Sequence, residues 1–281
     1  MTVSTHSDEQ IALWNGPAGL AWVDAQELLD AIYRPVESLL ADLVPVGSPR
    51  AILDVGCGTG ATTLAAARRL GSDGRALGVD LSEVMIAAAR TRAAHDGVRA
   101  QFACADAQIY PFELSTVDAI ISRFGVMFFG DPVRAFANLR AAARKGAEAR
   151  LVVWRTAAEN PFMTTAERAA APLLPKLPPR RPDAPGQFAL GDRDRISSIL
   201  DESGWTSIDI QPFDLECTFP EKELIRYLTR LGPVGMALQQ ADDQTRTRVI
   251  GVARTAFEPY VHGADVHFTA ACWIIEARAG A

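Results

Sequence analysis

Cysteine, histidine and surplus positive charge are all scarce in this chain. The four cysteines, Cys57, Cys104, Cys217 and Cys272, are widely separated and form no C-x-x-C pair. Neither a zinc site nor a disulfide framework is therefore indicated, and no metal is expected. Lys and Arg total 28 against 34 Asp and Glu, for a net charge of −6 and a pI near 5.3. A nucleic-acid-binding surface is not expected from that balance. The one basic cluster, Pro178-Pro-Arg-Arg-Pro182, reads as a solvated loop. No apolar run is long enough to cross a bilayer. The N-terminal residues are polar and contain no apolar signal core. A soluble protein in a reducing, cytoplasmic setting is the expectation. The remaining composition, 48% hydrophobic and 22% charged, suffices for one large domain or two small ones.

Against these absences stands one dense motif, Ala51-Ile-Leu-Asp-Val-Gly-Cys-Gly-Thr-Gly60. An apolar strand ends in an acid and then in glycines at every second position. Ala61-Thr-Thr-Leu-Ala-Ala-Ala-Arg-Arg-Leu70 follows and reads as a helix. Glycines permit a tight turn and let a ligand lie against bare backbone. The helix N-terminus offers that ligand unpaired N–H groups. Gly56-x-Gly58-x-x-Ala61 fits a dinucleotide fingerprint, and Gly56-x-Gly58-x-Gly60 fits a loop for S-adenosylmethionine (SAM). Asp54 separates the two. Its carboxylate opposes a pyrophosphate, like charge against like, whereas SAM carries a sulfonium and an ammonium that an acid favours.

Around the loop the sequence alternates. Strands are expected over 50–55, 75–80, 99–104, 116–123 and 147–155. Helices are expected from 61 to 70, from Ser82 as cap to about 95, and from Asp131-Pro132 to about 144. Such alternation argues for an α/β fold with a parallel sheet. Residues 8–46 read as a helical N-terminal cap, with Pro35 opening one of its helices. Residues 156–190 hold seven of the 17 prolines and read as an irregular insertion with short helices. Beyond it, 192–203, 221–231 and 242–260 read as helices, and 205–217 and 266–277 as strands. The expected organisation is a single domain: the cap, a core over 50–155, a lid over 156–190, and completion of the sheet over 191–281.

Asp80 ends the second strand, where an acid is placed to hold a ribose diol. Asp106-Ala107 follows the third strand. A carboxylate there can accept from an adenine amino group while a backbone N–H meets a ring nitrogen. Three successive strands thus end in acids, as suits a ligand lying across the carboxyl ends of an open sheet.

These residues resemble the class I SAM-dependent methyltransferases, and are similar to the ubiquinone/menaquinone-biosynthesis subgroup (methyltransferase type 11). The likeness rests on Ile52–Gly60, on Leu77-Gly-Val-Asp-Leu-Ser82 and on Cys104-Ala-Asp-Ala-Gln-Ile-Tyr-Pro-Phe112. Phe128-Phe-Gly-Asp-Pro-Val-Arg-Ala-Phe136 and Leu151-Val-Val-Trp154 extend it. It covers 50–155 and loosens outside that range. It implies a Rossmann-like, seven-stranded, mostly parallel sheet with helices on both faces and an antiparallel last strand. It further implies SAM as cofactor, held by Asp54, Gly56, Cys57, Gly58, Gly60, Asp80, Leu81, Met85, Asp106, Ala107, Ser122 and Arg123. Two positions depart from the pattern. Gln108 stands where an acid is common, and Arg144-Lys-Gly-Ala147 replaces the usual Pro-Gly-Gly, which should affect a turn more than chemistry.

Methyl transfer from a sulfonium is an in-line displacement that needs alignment and exclusion of water, and a base only when the acceptor is protonated. His6 falls in the polar tail, His95 ends a helix away from the ligand face, and His262 and His267 flank the last strand. Arg123 and His262 are the candidate catalytic residues, and no base is assigned. Trp14, Trp22, Tyr33, Phe124, Met127 and Phe128 are the candidate acceptor pocket, which points to a small apolar or aromatic metabolite. The competing readings are a non-catalytic SAM-binding regulator or scaffold and an NAD-dependent oxidoreductase. Monomer and homodimer are both compatible with the sequence.

Overall fold

The computed structural model describes residues 3–177, 180 and 184–280, with side chains from residue 8 onward. The side chain of His6 and most of the 178–182 segment lie outside the described residues. Four helices come first: α1 (Val3–Asn15), α2 (Pro17–Asp24), α3 (Gln26–Ile32) and α4 (Arg34–Ala41). The alternating core follows as β1 (Ala51–Val55), α5 (Ala61–Arg69), β2 (Arg75–Asp80), α6 (Glu83–Asp96), β3 (Gln101–Cys104), β4 (Val117–Arg123), α7 (Pro132–Ala142) and β5 (Ala143–Trp154). The chain continues through α8 (Pro161–Ala170), α9 (Arg193–Glu202), β6 (Trp205–Pro220), α10 (Leu224–Arg230), α11 (Gly232–Leu238) and α12 (Asp243–Ala256). It ends with β7 (Val261–His262) and β8 (Asp265–Ala279).

The sheet order is β3-β2-β1-β4-β5-β8-β6, with β7 beside β8. Strands β1 to β5 run parallel, and β8 is antiparallel to both β5 and β6. The seven expected strands are present, and the two-residue β7 is an addition. All five residues of β1 are buried, as a central strand covered on both faces requires. From β1 the order runs outward to β2 and β3 on one side and to β4 and β5 on the other. The crevice between the carboxyl ends of β1 and β4 is therefore the topological switch point, where an open α/β sheet binds ligands.

Local chemistry sets most helix starts. The Ser82 hydroxyl accepts from Met85 N–H at 3.3 Å to cap α6, and Gly97, with positive φ, ends it. Asp131, Asp192 and Asp242 cap α7, α9 and α12 in the same way. Ser82 also donates to Trp14 O at 2.6 Å, and Asn15 donates to Leu81 O while accepting from Glu83 N–H. These bonds fasten the end of α1 across the tip of β2.

Two regions differ from the sequence expectation, the start of β5 and α11. β5 starts at Ala143, not 147, because residues 143–147 join the strand through an irregularity. Pairing moves from Val117↔Ala143 to Ala119↔Glu148, and Gly146 takes φ 80°. Residues 156–190 contain the ten-residue α8, opened by Pro161. Helix α11 was not anticipated, since two glycines and a proline in seven residues argue against helix. Packing overrides that propensity: a Cβ at Gly235 would lie 2.6 Å from the Arg230 carbonyl carbon, so only glycine fits.

The far end of the sheet is an aromatic core. Phe162 of α8 stacks on Phe268 of β8 with centroids 3.9 Å apart, and meets Phe257 edge-on at 5.0 Å. It is 1% exposed and joins α8 to the β6–β8 pair. Phe162→Ala should lower unfolding free energy by roughly 3–5 kcal/mol through lost burial and a cavity, as read by urea denaturation.

Candidate functional site

Asp54, the last acid of β1, is 1% exposed and lies beneath the glycine loop. Its Oδ2 accepts the Thr63 hydroxyl at 2.6 Å, whereas its Oδ1 is buried without a partner. Burial pushes its pKa up to about 7, against the Thr63 bond and the Arg123 charge, which lower it. The loop above turns back on β2: Gly56 and Cys57 N–H both donate to Val79 O, at 2.8 and 3.1 Å. Asp80 then holds the loop from the neighbouring strand. Its Oδ2 accepts Gly58 N–H at 2.8 Å and its Oδ1 accepts Ser82 N–H at 2.9 Å. Burial raises the Asp80 carboxyl, and these N–H bonds oppose the rise.

Two glycines are required for different reasons. A Cβ on Gly56 would sit 2.4 Å from Gly125 Cα, so the β1 and β4 loops touch backbone to backbone. A Cβ on Gly58 would meet only Met85 Sδ, at 3.8 Å. The backbone at Gly58 is therefore bare toward open space. It offers the bare backbone against which a nucleoside ligand can lie, with the buried Asp54 carboxyl behind it.

The space is a cavity of about 400 Å³ at the carboxyl ends of β1, β2, β3 and β4. Of the sequence-predicted cofactor residues, Gly56, Gly58, Asp80, Leu81, Met85, Asp106, Ala107 and Arg123 line it. Four others stand behind the wall. Asp54 is described above. Cys57 packs with Leu64, Ile86 and Phe102 on the far side of the loop. Gly60 takes φ 86° at the start of α5. Ser122 is fully buried, donates to Val55 O at 2.7 Å and accepts Gly125 N–H at 3.2 Å, stitching the β1 and β4 ends together.

All six candidate acceptor residues, Trp14, Trp22, Tyr33, Phe124, Met127 and Phe128, line the same cavity. Trp14 meets Trp22 and Phe128 edge-on at 5.9 and 5.2 Å. Phe124 stacks on Trp154 at 4.8 Å and meets Tyr33 edge-on at 5.3 Å. It holds φ 61°, an uncommon conformation for a non-glycine residue and a type of strain that gathers at ligand sites.

His262 is a correction. It is exposed on β7 beside His267, with ring centroids 5.4 Å apart, and does not line the cavity. Its position in the hairpin turns it to solvent. Arg123 does line the cavity and donates to Asp30 at 3.2 Å. Asp30 also accepts from Arg92 at 2.8 Å and from Gln26 at 2.7 Å. Residues that sequence reasoning missed include Phe162, Met163, Tyr227, Leu231 and Phe257, which wall the cavity from α8, α10 and beyond α12. Their signal was weak because each also reads as ordinary apolar core.

Residues 52–146 match the family described as methyltransferase domain. Aklanonic acid methyltransferase DauC of Streptomyces sp. (strain C5) is 32% identical over 107 residues, 38% of this chain and 49% of its own. The chain spans about half the length of the curated relatives it matches. Among solved structures, the YcgJ protein of Bacillus subtilis superposes with a TM-score of 0.58 at 18% identity, covering 87% of this chain and 98% of that one. Phosphoethanolamine N-methyltransferase 2 of Haemonchus contortus, solved with phosphomonomethylethanolamine and S-adenosylhomocysteine (SAH), gives 0.54 at 18% identity, covering 88% and 53%. These structural likenesses establish the fold.

The buried Asp54 carboxyl sets a pH dependence. Its folded-state pKa of about 7 lies above the ordinary 3.8. As pH rises from 4 to 7 the unfolded chain loses this proton while the folded one keeps it, so stability falls across that window and stays low above it. Asp54→Asn removes the effect. The variant should match the parent near pH 4.5 and exceed it at pH 8 by on the order of 3 kcal/mol. Urea titrations at the two pH values check this.

Proposed function

We propose that the protein, whose residues 52–146 match a methyltransferase domain, transfers a methyl group from SAM to a small, apolar or aromatic acceptor. One observation carries the reading. A single cavity has a glycine loop and acid-tipped strands at one end and aromatic and methionine side chains at the other. Bound at the first end, SAM would supply an electrophilic methyl group on a sulfonium whose departure needs no acid.

The residues divide the work by position. Asp80 would accept the ribose hydroxyls, since each carboxylate oxygen retains a lone pair beyond its backbone bond. Asp106 and Ala107 would meet the adenine edge, with Leu81 and Met85 packing beside the ring. Gly56 and Gly58 let the chain approach the ligand, Arg123 stands where cofactor and acceptor would meet, and Asp54 lies one layer behind the loop. Ser122, Cys57 and Gly60 act one layer back, by holding the loops in place. Trp14 and Trp22 close the wall from α1 and α2, Phe128 from the turn after β4, and Phe162, Met163 and Leu231 from α8 and the segment after α10. This apolar enclosure excludes water and aligns the acceptor, the two contributions on which an in-line displacement depends. The described residues of the 156–190 segment that line the cavity, with α10 and α11, would serve as the lid over the acceptor.

SAM and SAH, each at a hundred times its dissociation constant, should stabilise the protein by roughly 2.7 kcal/mol, a rise of several degrees in midpoint. NADH should produce none. Asp80→Ala should abolish the SAH shift while circular dichroism shows an unchanged fold. A shift with NADH alone, or an undiminished SAH shift in Asp80→Ala, would overturn the assignment.

A further inference from the structure

The acceptor half of the cavity contains two polar groups whose bonding capacity the protein leaves unused. The Tyr33 hydroxyl has no hydrogen-bond partner among the described residues, although the residue is 4% exposed and lines the cavity. Arg123 gives one amino group to Asp30, and its other, Nη1, is buried without a partner. The two belong together. Asp30, which anchors Arg123, lies on α3 three residues before Tyr33, the residue that caps that helix, so both face the same way. Phe124, next to Arg123 in sequence, meets the Tyr33 ring edge-on. The Arg123 nitrogen is buried and unpartnered, so a ligand acceptor there would satisfy it.

The same half lacks a free base. Among the described residues lining the cavity there is no histidine, and the acids are Asp80, Asp106 and Glu167. Asp80 and Asp106 stand at the strand ends, where their oxygens accept loop N–H groups. Glu167 is paired with Arg180 at 2.5 Å. Burial pushes the Tyr33 phenol well above its ordinary pKa, so it is a donor and not a base. An oxygen nucleophile bound here must arrive already ionised, or be acidic enough to ionise in water. The rings beside Tyr33, Phe124 and Trp154, are flat and apolar.

Building on the methyltransferase reading, we propose that Tyr33 and Arg123 form an oxyanion-binding subsite for the methyl acceptor. The acceptor is then an apolar, ring-bearing molecule that presents a carboxylate or an acidic enol. The Tyr33 hydroxyl donates to the oxygen and Arg123 balances its charge. Both are positioning residues for the acceptor.

The test uses two probes of one shape and different charge, 2-naphthoate and 2-naphthamide, titrated calorimetrically into the SAH-saturated full chain. Naphthoate should bind at least tenfold more tightly than the amide. Tyr33→Phe, which keeps every ring contact, should weaken naphthoate roughly tenfold and leave the amide unchanged. Arg123→Lys should weaken naphthoate as well, with folding checked by circular dichroism. Failure of naphthoate to bind, equal binding of acid and amide, or unchanged naphthoate affinity in Tyr33→Phe would each overturn the subsite. Failure of SAH to bind the parent protein would instead strike the cofactor reading, and the probes are then compared on the unloaded protein with the same outcomes.

Discussion

The contact between Gly56 and Gly125 is the constraint on which the rest of the site depends. Two backbones approach so closely that a single methyl group on either would collide with the other or with Val55 O. Ser122 reinforces the approach by bonding Val55 O on one side and Gly125 N–H on the other. The contact brings the end of β4 against the loop after β1, which fixes Arg123 and Phe124 at the rim of the glycine loop. A larger residue at either glycine would part the loops and separate the two halves of the cavity. The shape of the cavity thus rests on a backbone contact in which no cavity-lining side chain takes part.

A chain of charges connects the same elements. Asp30 on α3 holds both Arg92 of α6 and Arg123 of β4, and Arg92 also donates to Thr59 O in the glycine loop at 2.8 Å. Two guanidinium groups share one carboxylate here, and Asp54 lies buried nearby with an unpaired oxygen. Buried ion pairs contribute little net stability, because desolvation offsets their attraction, yet losing one partner is costly. The network is better understood as a way of setting position. It ties the N-terminal helices, the glycine loop and the β4 end into one geometry, and it concentrates uncompensated polar capacity where a charged ligand can use it.

Much of this was legible in the sequence, for reasons that can be named. The glycine spacing and the acids at 54, 80 and 106 are local signals of strand, turn and ligand contact. They located the core strands to within about two residues, except at β5. The six acceptor-pocket candidates came from the aromatic content of segments adjoining that core, and all six line the cavity. The failures were non-local. Helix α11 forms against its own propensity because Gly235 packs on Arg230. Asp54, Cys57, Gly60 and Ser122 carry motif signatures but support the wall from behind, a distinction of depth that a linear pattern does not encode. His262 seemed available only because its exposure could not be read from its neighbours in sequence.

The division between matched and unmatched segments has a physical counterpart. The methyltransferase family match covers 52–146, which contains the glycine loop and the strand-end acids. The walls that face an acceptor come mostly from outside it: Trp14, Trp22 and Tyr33 before, and Trp154, Phe162, Tyr227 and Phe257 after. These later residues depend on the long β6–β8 pairing, which runs from Trp205↔Ala279 to Pro220↔Asp265 and extends past the end of β5. Phe219 and Phe268 on that extension pack against Phe162, and so carry α8 to its place over the cavity. The part of the cavity wall that follows the matched range therefore stands on an arm of the sheet separate from β1 to β4, while the glycine loop stands on β1 itself.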